Sequence, residues 1–237
     1  FRLACKNGHL NIVKLLLSIP GNNINLNAKD DCAFCRACKF GSLELAQFLL
    51  LATSTCSISD FEEMGFPVDK LNSEFNLSES EFDISNPKKI DITSHNNYAF
   101  ISACELGHLE IVKLLVAMSD FDICCRGYLG FRQACLDTHL DVLDFLVAQL
   151  KTEKEWEGLR KSFCEGADYL FRATCMFSRR SKSADWLMKF LNVNKYEFYF
   201  HKKNVFYLIK PIGFEFDKEP KIMFGDIYDK PPKLIFD

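Results

Sequence analysis

The sequence predicts an all-α repeat solenoid, a row of stacked helix pairs followed by an aromatic-rich C-terminal extension, and three observations predict it. Four segments align without gaps: FRLACKNGHLNIVKLLL from Phe1, FCRACKFGSLELAQFLL from Phe34, FISACELGHLEIVKLLV from Phe100 and FRQACLDTHLDVLDFLV from Phe131, with start-to-start offsets of 33, 66 and 31 residues. Within each segment the apolar residues recur at helical spacing in two short runs. From Lys195 onward that pattern stops and aromatic residues take over, 11 of them in the last 43 positions.

The first helix of each pair carries Phe-x-x-Ala-Cys, a spacing that brings one large and two small side chains to one face. Gly8, Gly41 and Gly107 follow it, because glycine takes the left-handed conformation that closes a helix at least cost. Thr138 stands in that place in the fourth segment. The second helix bears a broad apolar stripe, seen at Leu109, Ile111, Val112, Leu114 and Leu115. So short a pair cannot bury its stripe alone; neighbours must stack, which is why the period exists. The units fall near 1–31, 32–55, 94–123, 124–150 and 165–192, the last from FRATCMFSRRSKSADWLMKFL at Phe171, which keeps the opening and closing apolar runs around an insertion. Residues 1–194 then form the array and 195–237 a cap or extended tail, in which YEFYF and VFYLI around HKKN predict a hairpin.

Residues 56–93 break the period. The 66-residue offset equals two repeats, yet its midpoint holds Pro67, Val68, Asp69, Lys70 and Leu71 in place of Phe-x-x-Ala-Cys, so an inserted loop and a decayed repeat both fit. Its middle, SEFNLSESEFD at 73–83, is acidic, and Ser78 and Ser80 are each followed three residues later by an acid, the spacing of an acidophilic kinase site and equally of a solvated acidic segment.

Three cysteines, Cys32, Cys35 and Cys38, have the C-x2-C-x2-C spacing of a thiolate-ligated metal or cluster. Recurrence argues against that chemistry. Cys38 shares one slot with Cys5, Cys104, Cys135 and Cys175, so five of the eleven cysteines are repeat cysteines acting as small hydrophobes. His9, His108 and His139 likewise share a slot, which marks them as structural rather than catalytic. No P-loop, Gly-x-Ser-x-Gly elbow, His-Glu-x-x-His helix or paired zinc-ligand motif occurs in the sequence, so no enzyme and no cofactor is expected. A net charge of -3 gives no basic field for nucleic acid. The longest apolar stretch, residues 45–52, is far short of the roughly 20 residues of a membrane helix. An odd number of cysteines without a framework spacing predicts a reducing, cytoplasmic setting. The chain opens on Phe1 rather than Met, and a preceding segment is expected.

The segment Phe-x-x-Ala-Cys-x-x-Gly-His-Leu-Glu-Ile-Val-Lys-Leu-Leu at 100–115 resembles the ankyrin repeat, in the divergent variety of giant-virus and intracellular-bacterial effector proteins. The resemblance implies helix pairs joined by short β-hairpin loops, with Asp30, Asn96 and Gly127 in the left-handed turn position. It implies a non-catalytic protein-interaction module with a concave docking surface, an effector directed at a host cell and located in its cytosol, or else the targeting region of a larger enzyme. Its partner is a protein, not nucleic acid or membrane. Carried over position by position, the surface comprises the turn residues Lys29, Asp31, His95, Asn97, Arg126 and Tyr128 and the helix-end residues Phe40, Leu106 and Leu136.

Overall fold

The computed structural model describes residues 1–66, 88–118, 121–165, 181–191, 196–199 and 208–211. The acidic stretch 73–83 with Ser78 and Ser80, the opening of the fifth segment with Cys175, and most of the tail lie outside the described residues. The chain divides into two compact units, Phe1–Gly130 and Phe131–Asp237.

The first unit is built from helix pairs. Helices α1 (Arg2–Lys6) and α2 (Leu10–Leu17) form one pair, α3 (Ala28–Lys39) and α4 (Leu43–Ala52) the next, and α6 (Ser94–Glu105) and α7 (Leu109–Ala117) the third, with the short α5 (Ile58–Glu63) after α4. The repeated cysteines and phenylalanines form the core: Cys5, Cys38, Cys104, Phe34 and Phe100 are all buried. Stacking sets the burial of the outer helices. Leu114 and Ile111 are buried, whereas their equivalents in the first pair, Leu15 and Ile12, are exposed, Leu15 by 64%.

Each first helix closes in the same way. In the first pair Gly8 N–H donates to Cys5 O (3.3 Å) and His9 N–H to Ala4 O (3.0 Å), the double bond of a left-handed helix end. Thr138, at φ +66, adopts the conformation that glycine has elsewhere, and its bonds to Cys135 O and from His139 to Ala134 O repeat the pattern. Packing thus overrides the preference of a β-branched residue.

Between units the expected β-hairpins are replaced by a left-handed helical turn. Three successive residues have positive φ in each: Lys29, Asp30 and Asp31 (57°, 50°, 57°), His95, Asn96 and Asn97 (53°, 59°, 64°), and Arg126, Gly127 and Tyr128 (52°, 64°, 63°). The reason lies five residues before the middle one. Asn25, Asp91 and Asp122 each accept, through a side-chain oxygen, the N–H two residues ahead at 2.8–2.9 Å. This turn supplies the acceptor that a pairing strand would otherwise provide. Bonds from Asp31 N to Asn27 O, Asn97 N to Thr93 O and Tyr128 N to Cys124 O then close each left-handed turn.

The 66-residue offset spans a single stacking step, because α3 packs directly against α6. The chain leaves through α5, capped by Ser57 and Asp60 and anchored by buried Phe61 and Phe66, and re-enters at Lys88. Re-entry is fixed by backbone donors onto the preceding unit: Lys88 N to Asn27 Oδ1 (3.1 Å), Ile90 N to Thr55 Oγ1 (2.8 Å) and Asp91 N to Asp31 Oδ2 (3.0 Å).

Helix α8 (Cys125–Leu136) crosses from the first compact unit into the second. The second unit continues with α9 (Leu140–Ala148), α10 (Glu153–Glu165) and α11 (Ser181–Leu191). No repeat accounts for α10, though Trp156, Leu159 and Phe163 have helical spacing. Its N-terminus is held by Glu155, which accepts from Lys151 N (2.7 Å) and Thr152 N (2.9 Å). Phe163 meets Trp186 and Phe190 edge-on, Trp156 stacks on Phe190, and Trp186 Nε1 donates to Asp144 Oδ1 (2.7 Å). Strands β1 (Tyr196–Tyr199) and β2 (Leu208–Pro211) pair antiparallel, Tyr196 opposite Pro211 and Tyr199 opposite Leu208.

Candidate docking surface

Among the described residues the exposed large apolar side chains are Leu3, Ile12, Leu15 and Ile19 in the first pair, and Phe40, Tyr98 and Leu106 on the first helices of the second and third pairs. Phe40 is 43% exposed, Leu106 41% and Tyr98 38%. Phe40 and Leu106 occupy one repeat position, each at the C-cap just before the left-handed glycine. Lysines accompany the rings: Lys6 Nζ lies 5.5 Å from the centre of the Phe40 ring, and Lys39 Nζ lies 5.3 Å from that of Tyr98. Lys39 Nζ also donates to Tyr98 Oη at 2.8 Å. That bond holds the lysine pKa above its ordinary value, so the ammonium is both charged and fixed in place.

The turns add a second row. Lys29, His95 and Arg126 are exposed at their tips, and His95 Nε2 lies 3.1 Å from Lys29 O, joining two successive turns. Asn97, Tyr128 and, in the second compact unit, Leu136 are half-buried.

Asp31 departs from expectation. It is only 5% exposed and faces inward, accepting from Asn27 Nδ2 (2.6 Å), Asp91 N (3.0 Å) and Ser94 Oγ (3.3 Å). Residues 88–91 return across it, and the Asp91 N–H together with the Asn27 and Ser94 side chains takes up its lone pairs, so this carboxylate joins two repeats and offers nothing to a partner. The neighbouring Asp91 has its pKa lowered, first by the Thr93 hydroxyl at 2.6 Å.

Tyr98 was not among the residues the repeat positions pointed to. Its slot holds Cys32 and Leu129 in other units, so only the structure pairs it with Lys39.

The cysteines are organised for packing. Cys5, Cys35, Cys38, Cys104, Cys125 and Cys135 are buried, and Cys32 and Cys124 half-buried. Desolvation pushes the thiol of Cys5 up to about 11 and those of Cys35 and Cys135 to about 12, so they stay protonated and poorly nucleophilic at neutral pH. Among the described residues, no three His, Cys, Asp or Glu side chains come together in an arrangement that could hold a metal ion.

Residues 1–60 match the family model for ankyrin repeats (3 copies). No curated protein matches the chain. Among the described residues, no helix is long and apolar enough to cross a membrane.

Proposed function

We propose, from the premise that residues 1–60 are ankyrin repeats, that this chain is a non-catalytic docking module whose partner lies across the ends of the first helices and the turn tips. Ankyrin repeats are in general protein–protein interaction modules. The observation that carries the reading is the exposure of Phe40, Tyr98 and Leu106 on helices whose other apolar side chains are buried. Large apolar and aromatic side chains held in water by a rigid scaffold lose little conformational entropy on binding, and such anchors dominate interface energies. Lys29, His95 and Arg126 form the polar border of the same surface. On this reading the docking array runs over residues 1–194, with 195–237 as its cap, and works in a reducing compartment such as the cytoplasm, consistent with free thiols at cysteines such as Cys5, Cys38, Cys104 and Cys135.

The test is a selection of binders from an unbiased peptide library, followed by substitution on the protein. Phe40→Ala and Leu106→Ala should each weaken the selected binders by at least about tenfold, the loss typical of interface anchors. Glu110→Ala, on an outer helix, should leave them unchanged. Binders indifferent to Phe40, Tyr98 and Leu106 would place the interface elsewhere and overturn the reading.

A further inference from the structure

Charge is divided between the two sides of the first two helix pairs. The inner helices and turns, residues 1–9 and 25–42, carry five bases, Arg2, Lys6, Lys29, Arg36 and Lys39, against two acids, Asp30 and Asp31. Of those acids Asp31 is buried and consumed by its three donors. The outer helices of the same pairs, residues 10–24 and 43–52, are neutral, with Lys14 against Glu44, and the inner side of the third pair, residues 88–106, is neutral too, with Lys88 and Lys89 against Asp91 and Glu105. The excess positive charge therefore lies on the side that also bears the exposed rings. Among the described residues the ion pair at contact distance is Lys113 with Glu110, on an outer helix; Glu105, next to Leu106, acts on Lys39 through space without a contact pair.

We infer that the occupant of this surface is an acidic peptide segment of a partner protein, in which carboxylates alternate with aromatic or aliphatic side chains; the inference rests on the docking reading above. Lys6 over the Phe40 ring and Lys39 over the Tyr98 ring form two cation-and-ring pairs. A carboxylate meets the ammonium while the neighbouring apolar side chain packs on the ring and on Leu106, so each pair recognises one acidic and one apolar residue together. Lys39 is already held by Tyr98 Oη, so its ordering cost is met before the partner arrives. Nucleic acid fits less well. An overall charge of -3 opposes a phosphate backbone, and Leu106 has no use for one.

The experiment uses the full chain, a fluorescein-labelled peptide alternating Asp or Glu with Phe or Leu, the same peptide with each acid replaced by Gln, and a labelled single-stranded RNA. The acidic peptide should bind at least about tenfold tighter than its Gln version, and added salt should erode that difference as it screens the charges. Lys6→Glu and Lys29→Glu, both at exposed positions and each to be checked for its fold by circular dichroism, should each remove most of the preference, while Glu44→Lys should not. Equal binding of the acidic and Gln peptides, with both lost in Phe40→Ala, would overturn the acidic class and leave the docking surface standing. Peptide binding unaffected by Phe40→Ala would overturn both. RNA binding as tight as the acidic peptide, sensitive to the same lysines, would replace the peptide with nucleic acid.

Discussion

His108 Nε2 lies 3.0 Å from the carbonyl oxygen of Lys39, and its ring covers Gly41, so the start of one outer helix is latched to the end of the preceding inner helix. A Cβ on Gly41 would stand 2.7 Å from that ring, and Gly41 also sits at φ +74. Two requirements, conformation and space, meet at one residue.

Gly41→Ala should therefore cost more than conformation alone. Gly21, at φ +69 with nothing within 4 Å of a built Cβ, isolates the conformational part. We expect Gly21→Ala to destabilise by about 1–2 kcal/mol and Gly41→Ala by about 1 kcal/mol beyond that, as His108 is displaced. Urea denaturation of the two variants checks the difference; equal losses would mean that the latch contributes nothing.

Leu115 is fully buried and belongs to the stripe of α7, so Leu115→Ala should cost about 2–5 kcal/mol. Glu110 is exposed and its 2.8 Å contact with Lys113 is a surface ion pair, worth about 0–1 kcal/mol. Thermal melts of Leu115→Ala and Glu110→Ala should separate widely, and a reversed order would show the helix to be turned the other way.

Asp31→Ala leaves the Asp91 N–H and Ser94 hydroxyl without their buried acceptor and removes the partner of Asn27, at a cost of about 1–3 kcal/mol. Asparagine tolerates the left-handed backbone and keeps one carbonyl acceptor, so Asp31→Asn should cost less than half as much. Equal penalties in chemical denaturation would show that the lost charge, not the lost acceptor, matters.

The buried thiols impose a pH dependence. Cys5 is held at about 11 and Cys35 and Cys135 at about 12 by desolvation, against an ordinary 9.0. A folded-state pKa above the unfolded value means that the unfolded chain releases its protons first as pH rises. Stability is fully present below pH 9 and falls between about 9 and 12. Denaturation midpoints should decline over that window, and native thiol labelling should reach Cys32 and Cys124 well before Cys5, Cys38, Cys104 or Cys135. Rapid labelling of all of them under native conditions would contradict the packing described.

Much of the fold was legible because repetition separates structural slots from special residues. The shared position of Cys5, Cys38, Cys104 and Cys135 predicted their burial, which Cys38 alone, within a three-cysteine run, would not have done. The three-residue left-handed turn was only partly legible: glycine-like tolerance marks Asp30, Asn96 and Gly127, whereas Lys29, His95 and Arg126 follow because a turn at Asn25, Asp91 or Asp122 forces them. The constant five-residue spacing between those two sets was the available signal. Asp31 was misread because its repeat equivalents, Asn97 and Tyr128, remain half-exposed; only the segment returning at 88–91 distinguishes it, and that contact is remote in sequence. Tyr98 acquires its role from Lys39, a partner 59 positions away.

The re-entry bond from Ile90 to Thr55 spans 35 residues, about one ordinary repeat more than the step between neighbouring units requires. Closing a longer loop adds only about 0.6 kcal/mol for each doubling of its length, so the excursion barely taxes the assembled state. Its effect falls on the order of assembly. Helix α3 meets α4 through a short connection, whereas it meets α6 only after a distant part of the chain has been brought back, and contacts of greater sequence separation form more slowly. The junction fastened by Asp31 and His108 is therefore expected to close after the local helix–helix contacts of the first unit, so that Asp31→Asn should change the unfolding rate more than the folding rate in stopped-flow kinetics.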